Sequence, residues 1–173
     1  TASLTGTPTN SNVGSHNVTV RVSDGNLFID QAFTITVINV NDAPVINSAN
    51  TISTNEDTSI TLLLTQLNVT DIDNAYPSGF SLIVNSGTNY TVSGNTVTPN
   101  ANFNGTLTVP IQVNDNQSIN NLSNKFNLSL TVNAVNDAPV VTADAASTPE
   151  DTPILVNVLA NDNDSRDPGS SIN

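Results

Sequence analysis

No cysteine occurs among the 173 residues, which excludes a disulfide scaffold, a thiolate metal site and a cysteine nucleophile together. A domain without disulfides must draw its stability from packing or from other ligands. Positive charge is nearly missing as well: Arg21, Lys125 and Arg166 stand against 15 acidic residues, a formal net charge of −12 at pH 7. Nucleic acid and anionic membrane surfaces are poor partners for such a chain, because both demand a cationic footprint. Tryptophan is absent, and Tyr76, Tyr90 and five phenylalanines leave little material for an aromatic sugar platform. His16 is the sole histidine, and the many serines have no evident base and orienter, so no nucleophile is assembled and the chain is not expected to be an enzyme. No apolar run approaches the ~18 to 20 residues of a membrane span. The opening "TASLTGTPTN" has no basic stretch followed by an apolar core, so any targeting signal is expected outside this sequence.

What is present is Val, Ile, Leu and Thr in short runs, with Asn, Ser and Thr between them. β-Branched side chains fit a pleated surface and Asn tolerates turn conformations, so this is strand and turn chemistry. "VINVNDAPVI" at 37–46 returns as "VNAVNDAPVV" at 132–141, placing Asn41 and Asn136 95 residues apart. That period is the size of one small domain used in series. With the "NDAP" phrases as punctuation, residues 1–43 end one unit, 44–138 make a whole one, and 139–173 begin a third. The outer segments carry too few strands to close a sandwich. The polypeptide is therefore expected to be cut from something longer, with incomplete flanking strands.

Period-2 alternation supplies the strands. Val18, Val20 and Val22, then the turn "SDGN", then Phe33, Ile35 and Val37 read as a β-hairpin. The middle unit repeats it with Leu107, Val109, Ile111 and Val113, the turn "NDNQ", then Phe126, Leu128, Leu130 and Val132. Shorter strands precede these at "VINSA", "SITLLL", "FSLIV" and "NYTVSGNTVTP". About seven strands per period, with no helical periodicity, predict an all-β protein of antiparallel, immunoglobulin-like β-sandwiches in series.

The acids fall at strand ends. Asn39, Asn41 and Asp42 lie where the first unit leaves for the second, Asp71 and Asp73 follow a strand of the second, and Asp115 follows its long penultimate strand. Loops of a sandwich gather at its two poles, so these carboxylates are predicted to converge. Carboxylates converging without a counter-ion repel one another. Ca2+ accepts six to eight carboxylate, amide and carbonyl oxygens in irregular geometry and suits such a set. The D-x-D spacing, recurring at Asp162 and Asp164, lets two loop carboxylates bend toward one point. Glu56-Asp57-Thr58 likewise recurs as Glu150-Asp151-Thr152, 94 residues on. The plainer reading of Asp42 and Asp137 is a turn before Ala-Pro, where the residue preceding proline is steered away from helix.

The phrase N-x-N-D-A-P, the later D-x-D and the acid after a V-x-V strand resemble the interdomain calcium motifs of cadherins. "GNTVTPNANFNGTLTVPIQVND" is more similar to bacterial tandem cadherin-like repeats of large surface or secreted adhesins, and "GTPTNSNVGSHNVTVRVSDGN" resembles the end of a dystroglycan-type cadherin-like domain. The resemblance implies calcium held by Asn39, Asn41, Asp42, Asp71, Asp73 and Asp115 at the first junction, and by Glu56, Asn136, Asp137, Asp162 and Asp164 at the second. Asn39 stands where the family carries aspartate, and Ala134 at the equivalent place in the second linker, so one or two ions per junction are expected. The implied function is an extracellular or cell-surface stalk, stiffened by calcium and serving adhesion. Its partners are neighbouring repeats of the same chain and, through distal domains, a host, substratum or cell-surface ligand. Two rivals remain: a carbohydrate- or protein-binding module, favoured if Tyr76 and Phe80 line an exposed groove, and a metal-free acidic spacer.

Overall fold

The computed structural model describes residues 3–164, so the end of the third segment, 165–173, lies outside the described residues. Strands β1 (Gly14–Ser23) and β2 (Phe28–Val37) pair antiparallel along their full length, from Gly14 opposite Val37 to Ser23 opposite Phe28. Their turn is made by Asp24, whose Oδ1 accepts the N–H groups of Asn26 at 2.9 Å and Leu27 at 2.8 Å, while Gly25 takes φ 98°. The Leu27 N–H, then that of Asn26, hold the Asp24 carboxyl below its ordinary pKa. On one face of the hairpin Arg21 forks onto Asp30 at 2.7 and 2.8 Å and lies over the Phe28 ring. The opposite face carries Val20, Val22, Ile29, Phe33 and Ile35, all exposed.

The middle unit contains β3 (Val45–Ala49), β4 (Ile52–Asn55), β5 (Ile60–Thr61), β6 (Leu67–Thr70), β7 (Ser81–Val84), β8 (Tyr90–Ser93), β9 (Thr96–Pro99), β10 (Gly105–Asn114) and β11 (Phe126–Asn133). One sheet runs β4-β11-β10-β7; facing it are the β3-β6 pair and the β5-β9-β8 sheet. Inward residues of both layers form one apolar cluster. Ile46, Leu62, Leu67, Val69, Tyr90 and Val97 come from one side, and Ile52, Leu82, Leu107, Val109, Ile111, Val113, Leu128, Leu130 and Val132 from the other. This is an immunoglobulin-like β-sandwich with the alternation read from the sequence: along β10 every second residue from Leu107 to Val113 is buried.

Two details differ from expectation. The sandwich is not wholly antiparallel, because β4 runs parallel to β11, with Leu130 opposite Ile52. The chain breaks at Asn50–Thr51 between β3 and β4 and changes layer there, so it joins the last strand after a crossover that spans the whole unit. "SITLLL" yields only the two residues of β5, because Leu63 N–H turns to Gln66 Oε1 at 2.8 Å and a 3₁₀ turn follows at Leu64–Gln66.

In the third segment the described residues hold one isolated bridge, Val140 with Asn163, closed by N–H···O bonds of 2.8 and 3.0 Å. Local turns nevertheless repeat. Thr54 Oγ1 donates to Thr58 O at 3.0 Å around left-handed Asp57, and Thr148 Oγ1 donates to Thr152 O at 2.8 Å around left-handed Asp151. Among the described residues no helix is long and apolar enough to cross a membrane.

Candidate metal centre

The linker between β2 and β3 lies against two loops of the middle unit. Asp42 N–H donates to Asp73 Oδ2 at 2.7 Å, and Asp42 Oδ2 accepts from Asn10 Nδ2 at 2.5 Å. Across the D-x-D segment Asp71 Oδ1 accepts the N–H groups of Asp73 at 2.8 Å and Asn74 at 2.9 Å. This Asx turn bends the loop so that Ile72 faces solvent while both carboxylates stay partly buried. Two oxygens are left over: Asp71 Oδ2 and Asn74 Oδ1 are buried and have no hydrogen-bond partner. Buried unpartnered polar atoms cost about 1–3 kcal/mol each, so such oxygens call for an explanation, an unseen ion among them.

Asp115, at the end of β10, is 3% exposed. Its Oδ1 accepts Gln117 N–H at 3.0 Å and its Oδ2 accepts Asn41 Nδ2 at 2.8 Å. Asn39, Asn41, Asp73, Asn74 and Gln117 line one cleft of about 300 Å³ beside the linker. A second, of about 410 Å³, is lined by Asn10, Asp42 and Asp71. Five of the six residues expected at the first junction line one or other cleft, and Asp115 adjoins them through its bond to Asn41. The carboxylates do not close on one another, however: among the described residues no three of His, Cys, Asp or Glu form a group able to hold a metal ion. A cation here needs amide or carbonyl oxygens to complete its shell, a donor set that Ca2+ takes and smaller, stricter cations refuse. With Asn39, Asn41 and Asn74 beside the acids, the residues present fit that requirement.

At the second junction the chain is held by Glu56. Glu56 is 4% exposed; its Oε1 accepts Val135 N–H at 2.5 Å, its Oε2 accepts Asn104 Nδ2 at 3.4 Å, and its own N–H donates to Asn133 O at 2.9 Å. It therefore fastens the end of β11 one residue before Asn136. Asn136 Nδ2 donates to the adjacent Asp137 carbonyl at 2.9 Å. Asp162 Oδ1 accepts Thr142 N–H at 2.7 Å, so the second D-x-D touches the chain just beyond its linker. Asp137 and Asp164 are partly buried.

Sequence reasoning missed Asn10, Asn74, Gln117 and Asn120. Asn74 was open to view as the residue completing D-x-D-N. Gln117 sits two residues past Asp115, and Asn10 and Asn120 reach the site only through the tertiary fold.

Two further residues answer questions raised by the sequence. His16 Nε2 donates to the Asn12 carbonyl at 2.6 Å, a local contact. Tyr76 and Phe80 pack edge to face with centroids 5.1 Å apart. Phe80 is buried, and the Tyr76 hydroxyl donates to Leu64 O, so burial raises its pKa. The pair belongs to the core and forms no platform for a sugar.

No curated protein matches the chain. The sequence profile of the bacterial Ig domain family matches residues 41–126. Domains of that family are typically structural, non-enzymatic modules of extracellular or surface proteins. The match opens on Asn41 of the linker and closes on Phe126 at the start of β11, so the D-x-D loop and Asp115 lie inside the matched stretch.

Proposed function

We propose that the chain is part of an extracellular stalk of a bacterial surface adhesin, in which cadherin-like junctions between β-sandwich repeats are stiffened by calcium. The observation that carries this reading is the pair of buried, unpartnered oxygens, Asp71 Oδ2 and Asn74 Oδ1, beside the point where Asp42 meets Asp73. The residues that would hold the ion are Asp42, Asp71 and Asp73, with Asn39 and Asn74 supplying amide oxygens. Bound calcium supplies charge neutralisation among oxygens that otherwise repel. The chain's own part is mechanical: the linker is drawn to the D-x-D loop of the unit it enters, which resists bending between repeats. A net charge of −12 is compatible with an ion-loaded rod and with a metal-free spacer alike.

Calcium titration by calorimetry separates the two. Extracellular modules typically bind with dissociation constants of about 0.1 to 1 mM. A ~0.1 mM site at ~10 mM calcium adds roughly 2.7 kcal/mol of stability. Asp71→Asn, which keeps an Oδ1 to accept the Asp73 and Asn74 N–H groups, is expected to lose most of that gain while melting no lower than the parent in chelator, since one repelling charge has gone. Absence of saturable heat in the parent, or equal calcium responses in parent and variant, would leave the spacer reading in its place.

A further inference from the structure

The first junction has a second half that uses no vacant oxygen. Asn41 Nδ2 donates to Asp115 Oδ2 at 2.8 Å and lies 3.1 and 3.2 Å from the carbonyl oxygens of Ile119 and Asn120. Asn120 Nδ2 returns a bond to the Asn41 carbonyl at 2.9 Å. One linker residue is thus gripped by both its side chain and its backbone. The gripping loop also carries bonds of its own that do not involve the linker: Asp115 N–H donates to Asn121 O at 3.1 Å and Asn121 Nδ2 to Gln117 O at 3.0 Å. Asn116 and Asn120 occupy left-handed backbone positions, φ 61° and 48°, which Asn tolerates far better than most residues. The loop is rooted by Asp115 at the buried end of β10.

From this geometry we infer that Asn120 and the 115–121 loop form a metal-independent bracket that docks the linker, so the angle at the first joint is set before any divalent cation binds. Both Asp115 oxygens already accept N–H donors, and the Asn41 contact is charge-assisted, the stronger kind of hydrogen bond. No cation is needed to satisfy either group. The inference rests on reading residues 38–44 as a mechanical joint, though not on calcium at that joint. It divides the labour: the bracket orients the linker, and the D-x-D side responds to ions. Asn120 is a positioning residue in this arrangement. At the second junction the equivalent of Asn41, Asn136, turns its amide to its own neighbour instead.

The experiment is done on the whole chain in chelator. Asn120→Gly keeps the left-handed backbone and removes the amide; Asn120→Asp keeps the size and removes the donor. The chain has no native cysteine, so spin labels at Thr19→Cys on β1 and Thr131→Cys on β11 report the inter-unit distance alone. A narrow distance distribution is expected for the parent, broader in both variants. The Asp42 amide, sheltered by Asp73, should exchange with solvent about fivefold faster in the variants, the equivalent of one modest hydrogen bond. Unchanged exchange in β10 and β11 would confirm that the sandwich itself is intact. A parent already broad in chelator, or variants indistinguishable from it, would overturn the bracket. Calcium is the separate arm: a parent that gives no calcium heat while the variants still loosen in chelator would sink the ion reading and leave the bracket standing.

Discussion

The chain contains two hairpins written in the same pattern and buried to opposite degrees. In β10 and β11, Val109, Ile111, Val113 and Leu130 are 0% exposed. In β1 and β2, Val22 is 62% and Ile29 73% exposed. Both hairpins pair antiparallel in unbroken register, so alternation and turn chemistry suffice to form the ladder. The difference is the opposing layer. β3-β6 and β5-β9-β8 cover the middle hairpin, and among the described residues no residue of β1 or β2 belongs to the buried core cluster. A period-2 pattern names a face that can be buried; a second sheet makes burial happen. Since apolar burial contributes about 25 cal/mol per Å², the two ladders differ in stability far more than in hydrogen bonding.

Hydrogen exchange would break or sharpen this contrast most severely. Amides shared between β10 and β11 should open only with the whole sandwich, while those between β1 and β2 should exchange on the order of a thousandfold faster, as a lone two-stranded ladder does. Equal protection would mean that the first hairpin is covered in solution. Next in size is Ile111→Ala, which should cost about 2–5 kcal/mol in thermal or denaturant unfolding because it opens a cavity between the layers. An unchanged transition would show the register of β10 to be wrong. Glu56→Ala removes the acceptor that fastens the exit of the middle hairpin at Val135. It should lower stability by about 1–3 kcal/mol through a stranded backbone N–H, read from the same unfolding curves. The smallest effect belongs to Ile29→Ala on the exposed face, expected to lie within about 0.5 kcal/mol. A loss as large as that of Ile111 would erase the distinction between the hairpins.

The candidate site was legible in its acids and opaque in its amides. Asp42, Asp71, Asp73 and Asp115 announce themselves by spacing at strand ends, and the fold does bring them to one pole. That Asp115 Oδ2 meets Asn41 depends on the linker lying against the 115–121 loop, and that Asp71 Oδ2 stays buried and unpartnered depends on what packs around the D-x-D loop. Asn120 meets Asn41 across 79 positions in the chain, a contact that no local pattern encodes.

The repeated Glu-Asp-Thr turn draws the line between the two kinds of information. Around Asp57 and again around Asp151 the chain takes the same left-handed turn, closed by the same threonine hydroxyl bond, although the surroundings of the two copies differ completely. That much the sequence determined by itself, because every atom involved lies within four residues. Thr54 also belongs to β4, paired with β11 through Val132, whereas Thr148 lies in no strand. Whether such a segment becomes a strand, which face of a hairpin is dry, and which carboxylate oxygens stay without a donor were decided only by the tertiary structure. Each depends on a partner surface contributed from far along the chain.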